Sequence, residues 1–254
     1  MFNEADLTDD GFLGGRLRIL QPRAGYRAAT DPVLLAAAVP ARAGQRVLEL
    51  GCGAGVASLC LLARVPGISV AGLERQPDYA DLARRNAQRN ALPLSVEEGD
   101  LAAMPAALRA ATFDHVIANP PYFPAGGGTP AREAGREAAL REATPLSAWL
   151  DAATRRLAPG GLLTMIHAAD RLPDLLAACD HRLGSVTLLP LAPREGRAAI
   201  RVICQARKGG RGAFRLLAPF VLHTGPAHDG DRDSFTAAAR AILRDGAALT
   251  PLAG

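Results

Sequence analysis

Lysine is almost missing from the 254 residues: Lys208 stands alone, and arginine carries nearly all of a formal net charge of +4. An excess that small is compatible with RNA without selecting it, because electrostatic binding depends on how cations cluster. Aromatic residues make up 4% of the chain, too few for an extended platform on which single-stranded bases stack. The four cysteines, Cys52, Cys60, Cys179 and Cys204, form no C-x-x-C pair and have no histidine pattern beside them, which argues against a zinc site and against a disulfide framework. Cys52 therefore reads as a small buried hydrophobe, and His223 and His228 make no ligand pair. No apolar run approaches the roughly 18 residues of a membrane-spanning helix. The acidic stretch from Met1 to Asp10 lacks the basic-then-apolar order of a secretion signal. Together these absences point to a cytoplasmic chain, without a metal and away from membranes.

What is present is an alternation of apolar strands and helices. The chain is 49% hydrophobic and of a length that one α/β domain over residues 1–254 can organise around a single core. A small N-terminal strand is predicted at Leu17–Leu20, and a helix from Asp31 to Val39 with Pro32 in its first turn. Core strands follow at Arg46–Leu50, Ser69–Leu73, Leu94–Val96, Phe113–Ala118 and Gly161–His167, and helices at Val56–Arg64, Asp78–Asn90, Leu146–Leu157 and Leu172–Cys179. This order implies right-handed crossovers and a doubly wound sheet. Ser185–Leu189 and Ala199–Ala206 have no helix between them and are expected to pair antiparallel, before a terminal helix at Phe235–Leu243. His115 and His167 fall on strands as core or surface residues.

Two segments carry chemistry. The first runs from the strand Arg46–Leu50 through Glu49 into Gly51-Cys52-Gly53-Ala54-Gly55. Glycines at a strand-to-helix turn let backbone approach a cofactor, but the spacing is G-x-G-x-G rather than the dinucleotide G-x-G-x-x-G. Glu49 beside the loop would repel a pyrophosphate and suits a cofactor bearing an ammonium group, such as S-adenosylmethionine (SAM). Glu74, at the end of the next strand, stands where nucleotide-binding α/β folds place a carboxylate on ribose hydroxyls; a solvated strand-end charge is the plainer reading. The second segment is Asn119-Pro120-Pro121-Tyr122, directly after Val116-Ile117-Ala118. The prolines fix φ and keep Asn119 out of the helical region. The Asn119 side-chain oxygen and the Pro120 carbonyl can then face the two N–H bonds of a planar amine, with Tyr122 flat against a ring. Asn-Pro also begins ordinary turns.

With both segments in this order, the chain resembles the class I SAM-dependent methyltransferases that modify amino nitrogens. Within that class it is most similar to the bacterial valine-tRNA adenine-N6-methyltransferase family. Gln21 through Leu35, Glu49 to Gly55 and Asn119 through Phe123 carry the likeness, with Pro145-Leu146 and Pro159-Gly160-Gly161 extending it. The resemblance implies a Rossmann-like α/β fold: a seven-stranded, mostly parallel sheet with an antiparallel last strand, and an N-terminal extension, residues 1–40, closing over the cofactor site. It implies SAM as cofactor, with S-adenosylhomocysteine as product, held by Glu49, Gly51, Gly53, Gly55, Glu74, Asp100, Leu101 and Asn119. Arg27, Thr30 and Asp31 match family positions near the cofactor, although relatives often carry lysine in place of Arg27, and Thr30-Asp31-Pro32 also reads as a simple helix cap. Asp100 also permits a simple helix cap. Asn119, Pro120 and Tyr122 are the implied catalytic residues, and Pro121, Tyr122 and Phe123 the substrate contacts.

The acceptor implied is adenine N6 in tRNA, by a monomer or weak homodimer. A glutamine amide presents the same two N–H bonds, so a glutamine N5-methyltransferase acting on release factors is the alternative, and a non-catalytic SAM- or RNA-binding protein a third reading. Two basic clusters bear on the substrate. Arg132, Arg136 and Arg141 alternate with acids and read as a solvated helix near the substrate entrance. Arg207-Lys208-Gly209-Gly210-Arg211 lacks balancing acids and reads as an exposed turn or an RNA contact.

Overall fold

The computed structural model describes residues 1–124, 141–142, 144–225 and 234–252. It begins with an antiparallel hairpin of β1 (Leu7–Phe12) and β2 (Leu17–Pro22). Only the second strand is legible in the sequence, because Leu-Thr-Asp-Asp-Gly-Phe has the composition of a turn. Its acids are matched by cations once folded: Asp9 pairs with Arg18 at 3.0 Å and with Arg89 at 2.5 Å, and Asp10 with Arg27 at 2.7 Å. The hairpin forms a sheet of its own and attaches to the rest through two asparagines. Asn86 Oδ1 accepts the Leu20 N–H at 2.8 Å while its Nδ2 donates to Leu20 O at 3.0 Å. Asn90 treats Arg18 in the same way, at 2.9 Å in both directions.

The main body then alternates: α1 (Asp31–Ala38), β3 (Arg46–Leu50), α2 (Val56–Arg64), β4 (Ser69–Glu74), α3 (Pro77–Arg89), β5 (Leu94–Glu98), α4 (Ala106–Ala110) and β6 (Phe113–Ala118). A short parallel pair, β7 (Phe123–Pro124) and β8 (Arg141–Glu142), precedes α5 (Leu146–Arg156). The chain continues through β9 (Leu157–Ala168), α6 (Leu172–Ala178), β10 (Leu183–Arg194), β11 (Arg201–Lys208), β12 (Arg215–Leu216), β13 (Phe220–His223) and α7 (Ala237–Asp245). Seven long strands lie in the order β10-β11-β9-β6-β3-β4-β5, and only β11 runs antiparallel to its neighbours. This is the expected Rossmann-like sheet with its reversed last strand. Two short strands extend it, because β10 is twelve residues long and its outer edge takes β12 and β13 in parallel.

The central strands are buried on both faces. Val47, Leu48 and Leu50 of β3 have no exposed surface, and they divide between apolar clusters on opposite sides of the sheet. That two-sided burial explains why β3 and β6 read as continuous apolar runs rather than alternating ones. The parallel strands also share one direction, which brings the carboxyl ends at Leu50, Glu74, Glu98 and Ala118 to a single edge of the sheet. Among the described residues, no helix is long and apolar enough to cross a membrane.

Candidate active site

The turn from β3 to α2 uses its glycines for different purposes. Gly51 has φ +67°, and a Cβ there would lie 2.8 Å from Trp149 Cη2, so α5 packs directly on the loop. Gly53 has φ +54°, and an added Cβ would meet only Tyr26 Cε1, at 4.0 Å; its backbone faces open space. Gly55, at the head of α2, packs instead against Leu94 and Ala83. It is not on the wall of the cavity that Gly51 and Gly53 line. Glycine at Gly55 thus serves helix packing, and Gly51 and Gly53 are the two glycines of the loop that line the cavity.

Two carboxyl groups stand behind this loop. Glu49 is 3% exposed. It accepts the Ser58 backbone N–H at 3.0 Å and the Ser58 hydroxyl at 2.5 Å. Burial pushes its carboxyl up to about 8, against the lowering effect of these two hydrogen bonds. Glu74 accepts the backbone N–H groups of Gly53 and Gln76, each at 2.8 Å. Burial raises it as well, and the backbone donors oppose the rise. Both line the cavity, as do Asp100 and Leu101. Asp100 Oδ1 caps the turn that follows by accepting the Ala102 N–H at 2.8 Å, so capping and a place on the wall coexist in one side chain.

The N-terminal segment supplies another wall through Gln21, Tyr26, Ala28 and Pro32. Tyr79 holds it in place, its hydroxyl accepting the Tyr26 N–H at 2.8 Å. Gln21 Oε1 accepts the Ala28 N–H at 2.7 Å. Arg27 lies elsewhere: its guanidinium turns back across the hairpin to Thr8, Pro22 and Asp10, and it is absent from the wall. Thr30 is absent too; its carbonyl accepts the Leu34 N–H at 3.0 Å, and its hydroxyl makes no cap bond.

Asn119, Pro120, Pro121 and Tyr122 close the cavity from the end of β6. The Tyr122 ring lies under the Arg201 guanidinium at 4.3 Å and meets the His167 ring edge-on at 5.3 Å. Its hydroxyl stands 2.7 Å from Asp31 Oδ2 and 2.6 Å from Asn119 Oδ1. Arg201 Nε pairs with the same Asp31 oxygen at 2.9 Å. Burial raises the Tyr122 hydroxyl well above the usual phenol value, with Asp31 adding to the effect. Sequence reasoning did not assign Arg201, which comes from the far end of the chain, or Gln21, Tyr26, Gln76 and Trp149. Trp149 did offer a signal: it is the one tryptophan of the chain and follows Pro145-Leu146. Its indole N–H is buried and has no hydrogen-bond partner among the described residues.

Other candidates fall away from this edge. The pairing of β11 with β9 puts Arg201 opposite Ala168 and Arg207 opposite Leu162, so Arg207 and Lys208 belong to the opposite end of the sheet, roughly 20 Å away at 3.3 Å per residue. There Arg207 donates to Gly160 O and Lys208 to Leu157 O, both at 2.7 Å. The Phe123 side chain, Arg132, Arg136, the Arg141 side chain and His228 lie outside the described residues. His115 faces Gln45 at 3.0 Å, and burial lowers it to about 4. Cys52 is buried, and burial raises its thiol, which suits a packing role.

The arrangement sets two buried carboxyl groups and an open loop backbone on one side, where hydroxyls and an ammonium group find acceptors. On the other side it sets Asn119 and Pro120, whose side-chain amide and backbone carbonyl are acceptor groups of the kind a planar amine's N–H bonds need.

Residues 29–178 match the family model described as the methyltransferase small domain. A tRNA1(Val) (adenine(37)-N6)-methyltransferase of Porphyromonas gingivalis is 36% identical over 213 residues, spanning 79% of this chain and 82% of the relative. The protein of the same name from Aeromonas hydrophila is 28% identical over 79% of this chain and 85% of its own length. Among solved structures, a predicted O-methyltransferase from Agrobacterium tumefaciens superposes with a TM-score of 0.69 at 28% identity, over 86% of this chain and 97% of that one.

Proposed function

The chain belongs to the methyltransferase small-domain family, and from that premise we propose that it transfers a methyl group from SAM to the exocyclic N6 amine of an adenine in tRNA. One observation carries the reading: the Asn119-Pro120 pair and the Gly53–Glu74 pair are walls of the same cavity. A methyl acceptor and a methyl donor held by these groups would meet. The printed names of the relatives support the choice of tRNA adenine as acceptor.

The residues present fit SAM. The Gly53 backbone is open to the cavity, and Glu74, after receiving two backbone N–H groups, keeps lone pairs for ribose hydroxyls. Glu49 supplies the acid for the amino-acid end, and Asp100 with the Leu101 backbone the contacts for the adenine. When bound, SAM supplies an electrophilic methyl group on a sulfonium centre. The protein's part is to align the acceptor. The target base leaves its stack, at a cost of a few kcal/mol, and Asn119 and the Pro120 carbonyl accept its two N–H bonds, which turns the nitrogen lone pair toward the methyl group. The amine proton becomes acidic only once the nitrogen is methylated, so no general base is required early. Alignment of this kind can contribute about 7–11 kcal/mol.

The test is methyl transfer from labelled SAM to total tRNA from a strain lacking the gene, followed by nucleoside mass spectrometry, with release factors in a parallel reaction. Label in N6-methyladenosine is the expected result. Label in a release-factor glutamine, or none in either despite SAM binding, would overturn it.

A further inference from the structure

The Tyr122 hydroxyl has one hydrogen and two oxygen neighbours, Asp31 Oδ2 at 2.7 Å and Asn119 Oδ1 at 2.6 Å. It cannot donate to both. Asp31 is the stronger acceptor, since Arg201 Nε holds it as an ion pair at 2.9 Å and hydrogen bonds to charged groups are the stronger kind. The hydrogen therefore lies toward Asp31, and Tyr122 Oη turns a lone pair to the Asn119 side chain. Two oxygens at 2.6 Å with no hydrogen between them repel. A half-turn of the amide removes the conflict without changing its shape, because the oxygen and the NH2 group exchange places.

We infer that Asp31 and Arg201 are positioning residues which, through the Tyr122 hydroxyl, fix the Asn119 amide with its NH2 on Tyr122 and its oxygen toward the cavity. The sequence of donors is then Asn119 Nδ2–H to Tyr122 Oη and Tyr122 O–H to Asp31, with Arg201 neutralising the carboxylate. Arg201 also lies over the Tyr122 ring at 4.3 Å, so one guanidinium restrains both the hydroxyl's acceptor and the plane of the ring. The consequence is chemical. The wrong amide orientation would present a donor to an incoming amine, whose N–H bonds need an acceptor, and the relay excludes that orientation before substrate arrives. Arg201 lies 170 residues from Asp31, which is why no local motif announces Arg201 or joins it to Asp31.

This inference rests on the amine-transfer reading, and its test separates the two. Turnover on tRNA is measured for wild type, Tyr122→Phe, Asp31→Ala, Asp31→Asn and the Asp31→Ala/Tyr122→Phe double variant, with SAM affinity by calorimetry. Tyr122→Phe keeps the ring under Arg201 and removes only the relay. It is expected to lower kcat about tenfold or more with the SAM Kd unchanged and KM for tRNA within about threefold. Asp31→Ala should do the same, the double variant should be no slower than the slower single variant, and Asp31→Asn, which retains an acceptor, should recover most of kcat. Fully active Tyr122→Phe, multiplying losses in the double variant, or losses confined to SAM affinity would overturn the relay. Tyr122→Phe decides the matter even if Asp31→Ala fails to fold. An inactive wild type would count against the tRNA reading, and the relay is then read from the nitrogen-15 NMR signal of the Asn119 side-chain NH2, identified by its loss in Asn119→Ala. That signal should move and its hydrogens exchange faster in Tyr122→Phe; an unmoved signal overturns the inference.

Discussion

The Glu74 carboxylate accepts the Gly53 backbone N–H at 2.8 Å, across 21 residues of chain. This bond joins the carboxyl end of β4 to the middle of the glycine loop. The group expected on the cofactor's ribose thereby also sets the height of the loop expected under its amino-acid end, and the two halves of the site are not independent.

Replacing Glu74 by alanine is accordingly expected to weaken SAM by about 1.5–3 kcal/mol, the scale of losing hydrogen bonds to a charged group. Titration calorimetry reads this directly, and equal affinity in the variant would remove Glu74 from the ribose.

Glu49 makes the site sensitive to pH. Its folded value of about 8 lies above the ordinary 4.5, so the folded protein holds this proton more tightly than the unfolded chain. Its contribution to stability is therefore full below about pH 4.5 and is lost as pH rises toward 8, at about 1.4 kcal/mol per pH unit. An ammonium group arriving beside Glu49 favours the carboxylate, so SAM binding at pH 7 should release close to one proton. Calorimetry in buffers of different ionisation enthalpy measures that number. Heats independent of buffer would place the ammonium elsewhere.

Trp149 is a natural reporter, being the single tryptophan and part of the cavity wall. Its emission should change on addition of SAM or S-adenosylhomocysteine. Trp149→Phe removes part of a ring that lines the wall and is expected to weaken binding by about 1 kcal/mol, the scale of one buried CH2 group. Unaltered affinity would mean that the indole serves only to pack on Gly51.

Asn119→Ala should keep SAM affinity and lower kcat by about 10²-fold, the loss typical of one preorganised polar contact. Unchanged single-turnover rates would exclude its side chain from the chemistry.

The segments legible in the sequence were those whose information is local. Gly51 to Gly55 and Asn119 to Tyr122 announce themselves because a turn or a rigid strand end dictates its own residues. The strands of the parallel core were read to within a few residues, since burial on both faces leaves apolar runs. β1 was missed because its acids satisfy arginines that are distant in sequence. β9 starts at Leu157, earlier than expected, and carries Pro159-Gly160-Gly161 within it; its pairing with β6 shifts register there, from Phe113 opposite Leu157 to His115 opposite Leu162. Arg27, Thr30 and Asp31 match by family position alone, and nothing in their neighbours foretells that Arg27 turns to Asp10 while Asp31 stands off the cavity wall on Tyr122 and Arg201. Arg201, like Asp31 as its ion-pair partner, became visible only when β11 reversed direction and carried the start of the strand to the same edge as Asn119.

Asn86 has no exposed surface. Its side chain bonds to both backbone groups of Leu20, and Nδ2 also donates to Ala54 O at 3.0 Å. One amide therefore stitches the hairpin, α3 and the glycine loop into a single cooperative unit. A ligand that quiets the loop should therefore also suppress local opening of β2, although β2 stands outside the main sheet. Amide hydrogens of residues 17–21 should exchange more slowly with SAM bound, and Asn86→Ala should abolish that protection while the loop still takes the cofactor.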